Sequence, residues 1–134
     1  MYIRLVIFAA LFSLSGYTLA VPNCGGKASS HADERACWIK AAEKSNARVH
    51  SAEESLRKRI KSWDEDANCV ETTLALFDES TRRFSRHRQS QCEFEASIAA
   101  GGNGAGDMRL SCQIGLDETY LRWLHEQFTR FSNP

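Results

Sequence analysis

The feature that most constrains this chain is a glycine-rich reversal set between two cysteines. Residues 84–112 read FSRHRQSQCEFEASIAAGGNGAGDMRLSC. A charged helical segment runs to Cys92, a short apolar turn follows, and Gly101, Gly102, Gly104 and Gly106 place four glycines within six residues. Such a run ends a helix, because glycine loses the most backbone freedom on ordering and readily takes up the turn conformations that follow a helix. A second helical segment then begins and presents Cys112. Two cysteines flanking one reversal suggest a helical hairpin closed by a disulfide. The chain before it reads as the helix that packs against this hairpin.

The N-terminus bears on whether a disulfide can form. Arg4 gives the first residues a positive charge, Leu5 to Leu14 is almost wholly apolar, and Tyr17-Thr-Leu-Ala20 offers small residues where a signal peptidase reads. This is the pattern of a signal peptide over 1–20, cleaved after Ala20. The apolar run is too short for a membrane anchor, and no lipoprotein box precedes Cys24. The mature chain, 21–134, is expected in the periplasm or outside the cell with no membrane span. There its five cysteines, Cys24, Cys37, Cys69, Cys92 and Cys112, are disulfide candidates before they are metal ligands.

Helical periodicity runs through the rest. Trp38, Ala42, Ser45, Val49, Ala52, Leu56, Ile60 and Trp63 recur at steps of three, four and seven, with Ser30 and Asp33 as a capping pattern ahead of them. Asp64, Asp66 or Asn68 can cap a second helix with the stripe Val70, Leu74, Phe77, Thr81, Phe84, Gln91, Phe94 and Ile98. Asp107 reads as the cap of a third, striped by Cys112, Leu116, Tyr120, Trp123 or Leu124, Gln127 and Phe131. No segment alternates with the period of a strand. The expected fold is all-α: a small antiparallel bundle of about three helices, stapled by disulfides. Its expected core is Trp38, Val49, Leu56, Ile60, Leu74, Phe77, Phe84, Phe94, Leu116, Tyr120 and Leu124.

Chemistry is sparse. Glycoside cleavage needs two carboxylates at a fixed separation, one with a raised pKa, and Glu93 and Glu95 lie among solvated helix residues. A Cys-His pair needs a free thiol, and nothing joins Cys69 to His50 or His87 in sequence. His50 with Glu53 or Glu54 has helical metal-ligand spacing but lies on a polar face. The glycine run lacks the Lys-Ser/Thr of a phosphate loop. No catalytic residue, metal or cofactor is therefore assigned. The formal net charge is zero, which gives no nucleic-acid signature. Asp64, Glu65, Asp66, Glu71, Asp78 and Glu79 precede Arg82, Arg83, Arg86 and Arg88, an order that suits a helix macrodipole.

These residues resemble the LprI-type lysozyme inhibitor domain, a family of small exported helical proteins. The family pattern opens with a cysteine pair, matched by Cys24 and Cys37, and a helix with a small-polar-x-x-Leu motif, matched around Ser45, Asn46 and Val49. A segment of the form A-Q-R-A-W-x-x-Y-R-D-x-x-C follows, where Ser80-Thr81-Arg82-Arg83-Phe84, His87-Arg88 and Cys92 stand here. Gly101-Gly102 matches a glycine pair, and Cys112 with Leu116 matches the last helix. The sequence departs from the pattern at Phe84 for Trp, His87 for Tyr, Gln89 for Asp, Asp117 for Thr and Tyr120 for Arg. The resemblance covers nearly all of 21–134.

The resemblance implies disulfides Cys24–Cys37 and Cys92–Cys112, with Cys69 unpaired. It also implies a protein partner, a lysozyme or related peptidoglycan hydrolase. Many lysozymes are basic, so Asp64, Glu65 and Asp66 could steer their encounter. The alternative is an immunity protein against a secreted toxin, or an accessory envelope protein. The glycine reversal supplies a candidate binding loop, Gly101, Gly102, Asn103 and Gly104 with Asp107, in which Asn103 and Asp107 form polar tips. Arg88 falls on the apolar stripe and the family places an arginine there too. A charge at that position needs a carboxylate, and Asp117 on the third helix is the expected partner in a structural clamp, with Glu53 as the alternative.

Overall fold

A computed structural model describes residues 22–26 and 28–132. The signal segment expected over 1–20 lies outside them. Three helices follow in order: α1 (His31–Lys61), α2 (Ala67–Ser97) and α3 (Ala105–Ser132). Disulfides Cys24–Cys37 and Cys92–Cys112 staple this all-α bundle, with Cα atoms 5.7 and 5.5 Å apart. Cys69 is a free, exposed cysteine.

Short polar side chains set where α1 and α2 begin. Ser30 accepts the Asp33 N–H at 3.1 Å, and the Asp33 carboxylate accepts the hydroxyls of Ser29 and Ser30. Asp66 caps α2 by accepting the N–H groups of Asn68 and Cys69, both at 3.0 Å. At α3 the expectation fails: the helix starts at Ala105, which leaves Asp107 inside its first turn. The turn before it needs left-handed backbone at Ala100 and Gly101, with φ of 49° and 79°.

The two caps make folding pH-dependent. Hydroxyl bonds from Ser29 and then Ser30 hold the Asp33 carboxyl below its ordinary value of 3.8. The Cys69 thiol, followed by its backbone N–H, does the same for Asp66. Each pKa is lower folded than unfolded, so the stabilisation is present above the unfolded value and lost as pH falls through the folded one. Thermal melts between about pH 5 and pH 2 should show falling Tm. Asp33→Asn with Asp66→Asn should flatten that fall, and an unchanged slope would exclude the caps as its source.

The bundle runs up, down, up. Four hydrogen bonds pin α1 to α3, and their sequence separations are nearly constant. Arg35 to Asp107, Ser45 to Asp117 and Arg59 Nε to the Phe131 carbonyl each span 72 residues, and Arg48 to Glu118 spans 70. Helices α1 and α3 are therefore parallel and in register, with α2 antiparallel to both. α3 packs most extensively, against α1 first and α2 second, whereas α1 and α2 touch least. This central place explains why α3 buries a wide arc that includes Ile114 and Asp117 as well as Cys112, Tyr120 and Leu124.

The core is Val49, Leu56, Ile60, Phe77, Tyr120 and Leu124, with Leu74 and Phe84 packed partly buried against it. Trp38 and Leu116 are only half-buried. Phe94 is not in the core: it is 68 % exposed, and Ile98 is 65 % exposed. The buried face of α2 passes from Phe84 through Arg88 to Cys92 and Ala96 at four-residue steps. Phe94, two residues beyond Cys92, points about 200° away from it. The disulfide fixes which face turns inward, and apolar character does not.

Phe84 stacks on Tyr120 with ring centroids 3.7 Å apart and 16° between planes. Phe84→Ala should cost about 2–3 kcal/mol, short of the roughly 3–5 kcal/mol of a fully buried ring. Urea unfolding measures it, and a loss under about 1 kcal/mol would mean that the stack contributes little.

Candidate functional site

A charged group sits in the middle of the bundle. The Asp117 side chain is 1 % exposed and that of Arg88 18 %. Arg88 Nη2 donates to Asp117 Oδ2 at 2.9 Å, and Ser45 Oγ donates to the same oxygen at 3.0 Å. Arg88 Nε lies 2.6 Å from Asp117 Oδ1 but off the hydrogen-bonding axis, so that edge adds charge contact without an aligned bond. One residue from each helix thus meets here. Phe84 and Tyr120 stack beside the group, so Phe84, Asp117 and Tyr120, three departures from the family pattern, lie in one neighbourhood. Glu53, the alternative partner, stands near Tyr120. Burial first, and the Glu53 carboxylate second, push the Tyr120 phenol well above its ordinary range. A cleft of about 250 Å³ opens over the group between α1 and α2, with Glu53, Thr81 and Phe84 in its walls.

The glycine reversal is tied down at α1. Arg35 Nε pairs with Asp107, and Arg35 Nη2 donates to the Asn103 carbonyl at 3.0 Å. Gly101, Gly102, Asn103 and Gly104 are exposed, but the Asp107 side chain is only 14 % exposed and turns back into the protein. Asp107 is therefore not a free polar tip. The approach of Arg35 also explains Gly106, where a Cβ would collide with the Arg35 guanidinium.

Beside this loop lies an open groove of about 680 Å³, where the first turns of α1 meet the end of α2 and the start of α3. Trp38, Met108 and Leu116 form much of its apolar lining, and Glu34, Glu95 and Asp107 put carboxylates in it. The groove is not legible in the sequence, where Trp38 and Leu116 have core spacing and nothing puts the last turns of α2 at the same end as the first turns of α1. The available signal is local: Glu34 and Trp38 are one helical turn apart, as are Gln91 and Glu95.

The carboxylates weighed for catalysis are engaged otherwise. Arg109 holds Glu93 bidentately at 2.7 and 2.8 Å, which lowers its carboxyl pKa, the opposite of what a general acid needs. Glu95 accepts from Gln91 at 3.2 Å. The Cys69 thiol is raised by its bond to Asp66, which suppresses the nucleophilic thiolate. His50 Nδ1 lies 3.6 Å from Glu53, and among the described residues no three His, Cys, Asp or Glu side chains group to hold a metal ion. None of the described helices is long and apolar enough to cross a membrane.

Fold and surface together define a small stapled bundle with a concave face, the form of a binding module. The family model described as "Lysozyme inhibitor LprI" matches residues 24–124, and the chain belongs to that family. No curated protein and no solved structure matches it.

Proposed function

We propose that the mature chain, 21–134, is an exported inhibitor that binds a lysozyme or related peptidoglycan hydrolase and blocks it without catalysing a reaction. The family match over 24–124 carries this reading. Two disulfides are consistent with an oxidising periplasmic or extracellular location. In this reading Arg88 and Asp117 act as a structural clamp between helices, and the exposed edge Gly101, Gly102, Asn103 and Gly104 borders the contact surface. Asp64 and Glu65 remain available to steer a basic partner, while Asp66 is committed to capping α2.

Purified mature protein should slow the lysis of peptidoglycan by a basic muramidase in a saturable way, with a heat-treated sample as control. Undiminished lysis across a panel of muramidases at micromolar inhibitor would rule out the inhibitor role and favour the immunity or accessory alternative.

A further inference from the structure

We propose that the groove between α1, α2 and α3 receives a cationic side chain, arginine or lysine, from the protein this chain binds. The proposal deepens the inhibitor reading and rests on it for the nature of the partner.

Glu34 and Glu95 line the groove, and among the described residues no lysine or arginine does. Among the described residues neither has an arginine or lysine partner; Glu34 has only His31 at 3.9 Å, and Glu95 only the Gln91 amide. Asp107, in contrast, is neutralised by Arg35. Both carboxylates are partly withdrawn from water, the Glu34 side chain being 33 % exposed and Glu95 half-buried. A partly desolvated carboxylate without a cation is unfavourable, and an incoming cation relieves it.

The lining then selects among cations. Trp38, Met108 and Leu116 offer an indole ring and aliphatic surface. A guanidinium or ammonium gains from the ring, and the methylene stem behind it gains from the apolar wall. A bare metal ion gains from neither and needs ligands that do not cluster among the described residues. An anionic group meets two like charges.

The surroundings fit a protein-borne side chain better than a free small cation. Gln91, Phe94, Glu95 and Ile98 follow the i, i+3, i+4, i+7 spacing of one helical face. Phe94 and Ile98, at 68 % and 65 % exposure, therefore lie on the same side of α2 as Gln91 and Glu95, outside the groove's own lining. A docked protein covers that apolar surface while its cation fills the groove.

The test uses the folded mature protein and two probes, hexa-arginine and its neutral hexa-citrulline counterpart, followed through the indole N–H resonances. Hexa-arginine should shift the Trp38 signal and leave Trp63 and Trp123 in place, and hexa-citrulline should shift none. Glu34→Gln with Glu95→Gln should weaken hexa-arginine binding about tenfold. The same variant should raise the concentration needed for half-inhibition of a basic muramidase by a similar factor, with Tm not lowered. A Trp38 resonance that hexa-arginine does not move, or a folded double variant of undiminished inhibition, overturns the proposal. Failure of the wild-type protein to inhibit is a separate result: it removes the inhibitor reading, and the peptide arm still judges the groove.

Discussion

Asp117→Ala is expected to destabilise the fold by about 3–5 kcal/mol, because it leaves the Arg88 guanidinium in the bundle interior with no counter-charge. Among the described residues only the Asp117 carboxylate contacts Arg88, and it is fully buried. Arg88→Ala should be costly for the reciprocal reason, with only the Ser45 hydroxyl left on the carboxylate. At roughly 4–8 °C per kcal/mol for a domain near this size, either loss is plain in a thermal melt. The double replacement Arg88→Met with Asp117→Leu separates charge burial from geometry. Removing both charges with apolar groups of similar bulk should recover most of the loss, since a buried pair often contributes less than good apolar packing. A double variant as unstable as either single would show that the hydrogen-bond geometry matters and the charge does not. The functional readout decides the role. Folded Arg88→Ala at low temperature should inhibit as the wild type does. Lost inhibition at unchanged Tm would place Arg88 in the contact surface.

Removing the Cys92–Cys112 staple should be nearly as severe. The bond closes a loop with a sequence separation of 20 residues, which in the chain-entropy picture contributes about 3 kcal/mol. Cys92 and Cys112 are also both buried, so Cys92→Ala with Cys112→Ala loses packed sulfur as well. Cys24→Ala with Cys37→Ala should cost less. That bond closes a shorter loop, with a sequence separation of 13 residues, and although Cys24 is buried its partner Cys37 is exposed. Urea midpoints of the two variants, compared at equal m-value, measure the difference. Equal losses would mean that loop closure alone sets the effect.

Much of this architecture is legible in the sequence because it is local. Ser30 and Asp66 cap the helices that follow them, and the Leu56–Ile60 face lies inward at the spacing its helix dictates. Arg88 is legible because a charge on an apolar stripe demands a partner. What escapes is set by residues far apart in the chain. Phe94 and Ile98 have the apolar character of core residues, yet the Cys92 bond turns the opposite side of α2 inward. Asp107 has the chemistry of a cap, but Arg35, 72 residues earlier, takes it. The groove is illegible for the same reason. Its carboxylates come from different helices, and only the parallel register of α1 and α3 brings Glu34 to the side of Met108.

Both disulfides and the Arg35 tie lie toward the end of the bundle where α1 and α3 begin. The opposite end is held by the Trp63–Phe131 edge contact at 5.2 Å and the Arg59 bond to the Phe131 carbonyl. Resistance to local opening is therefore graded along the long axis. Amide protons in the first turn of α2 and the last of α3 should exchange early, and those around Cys92 and Cys112 should exchange only with global unfolding. A protease should make its first nick near Ser62–Asp66. The fold thus keeps its groove rigid while its far end breathes, and a partner that docks at the stapled end meets a surface that needs little ordering on contact.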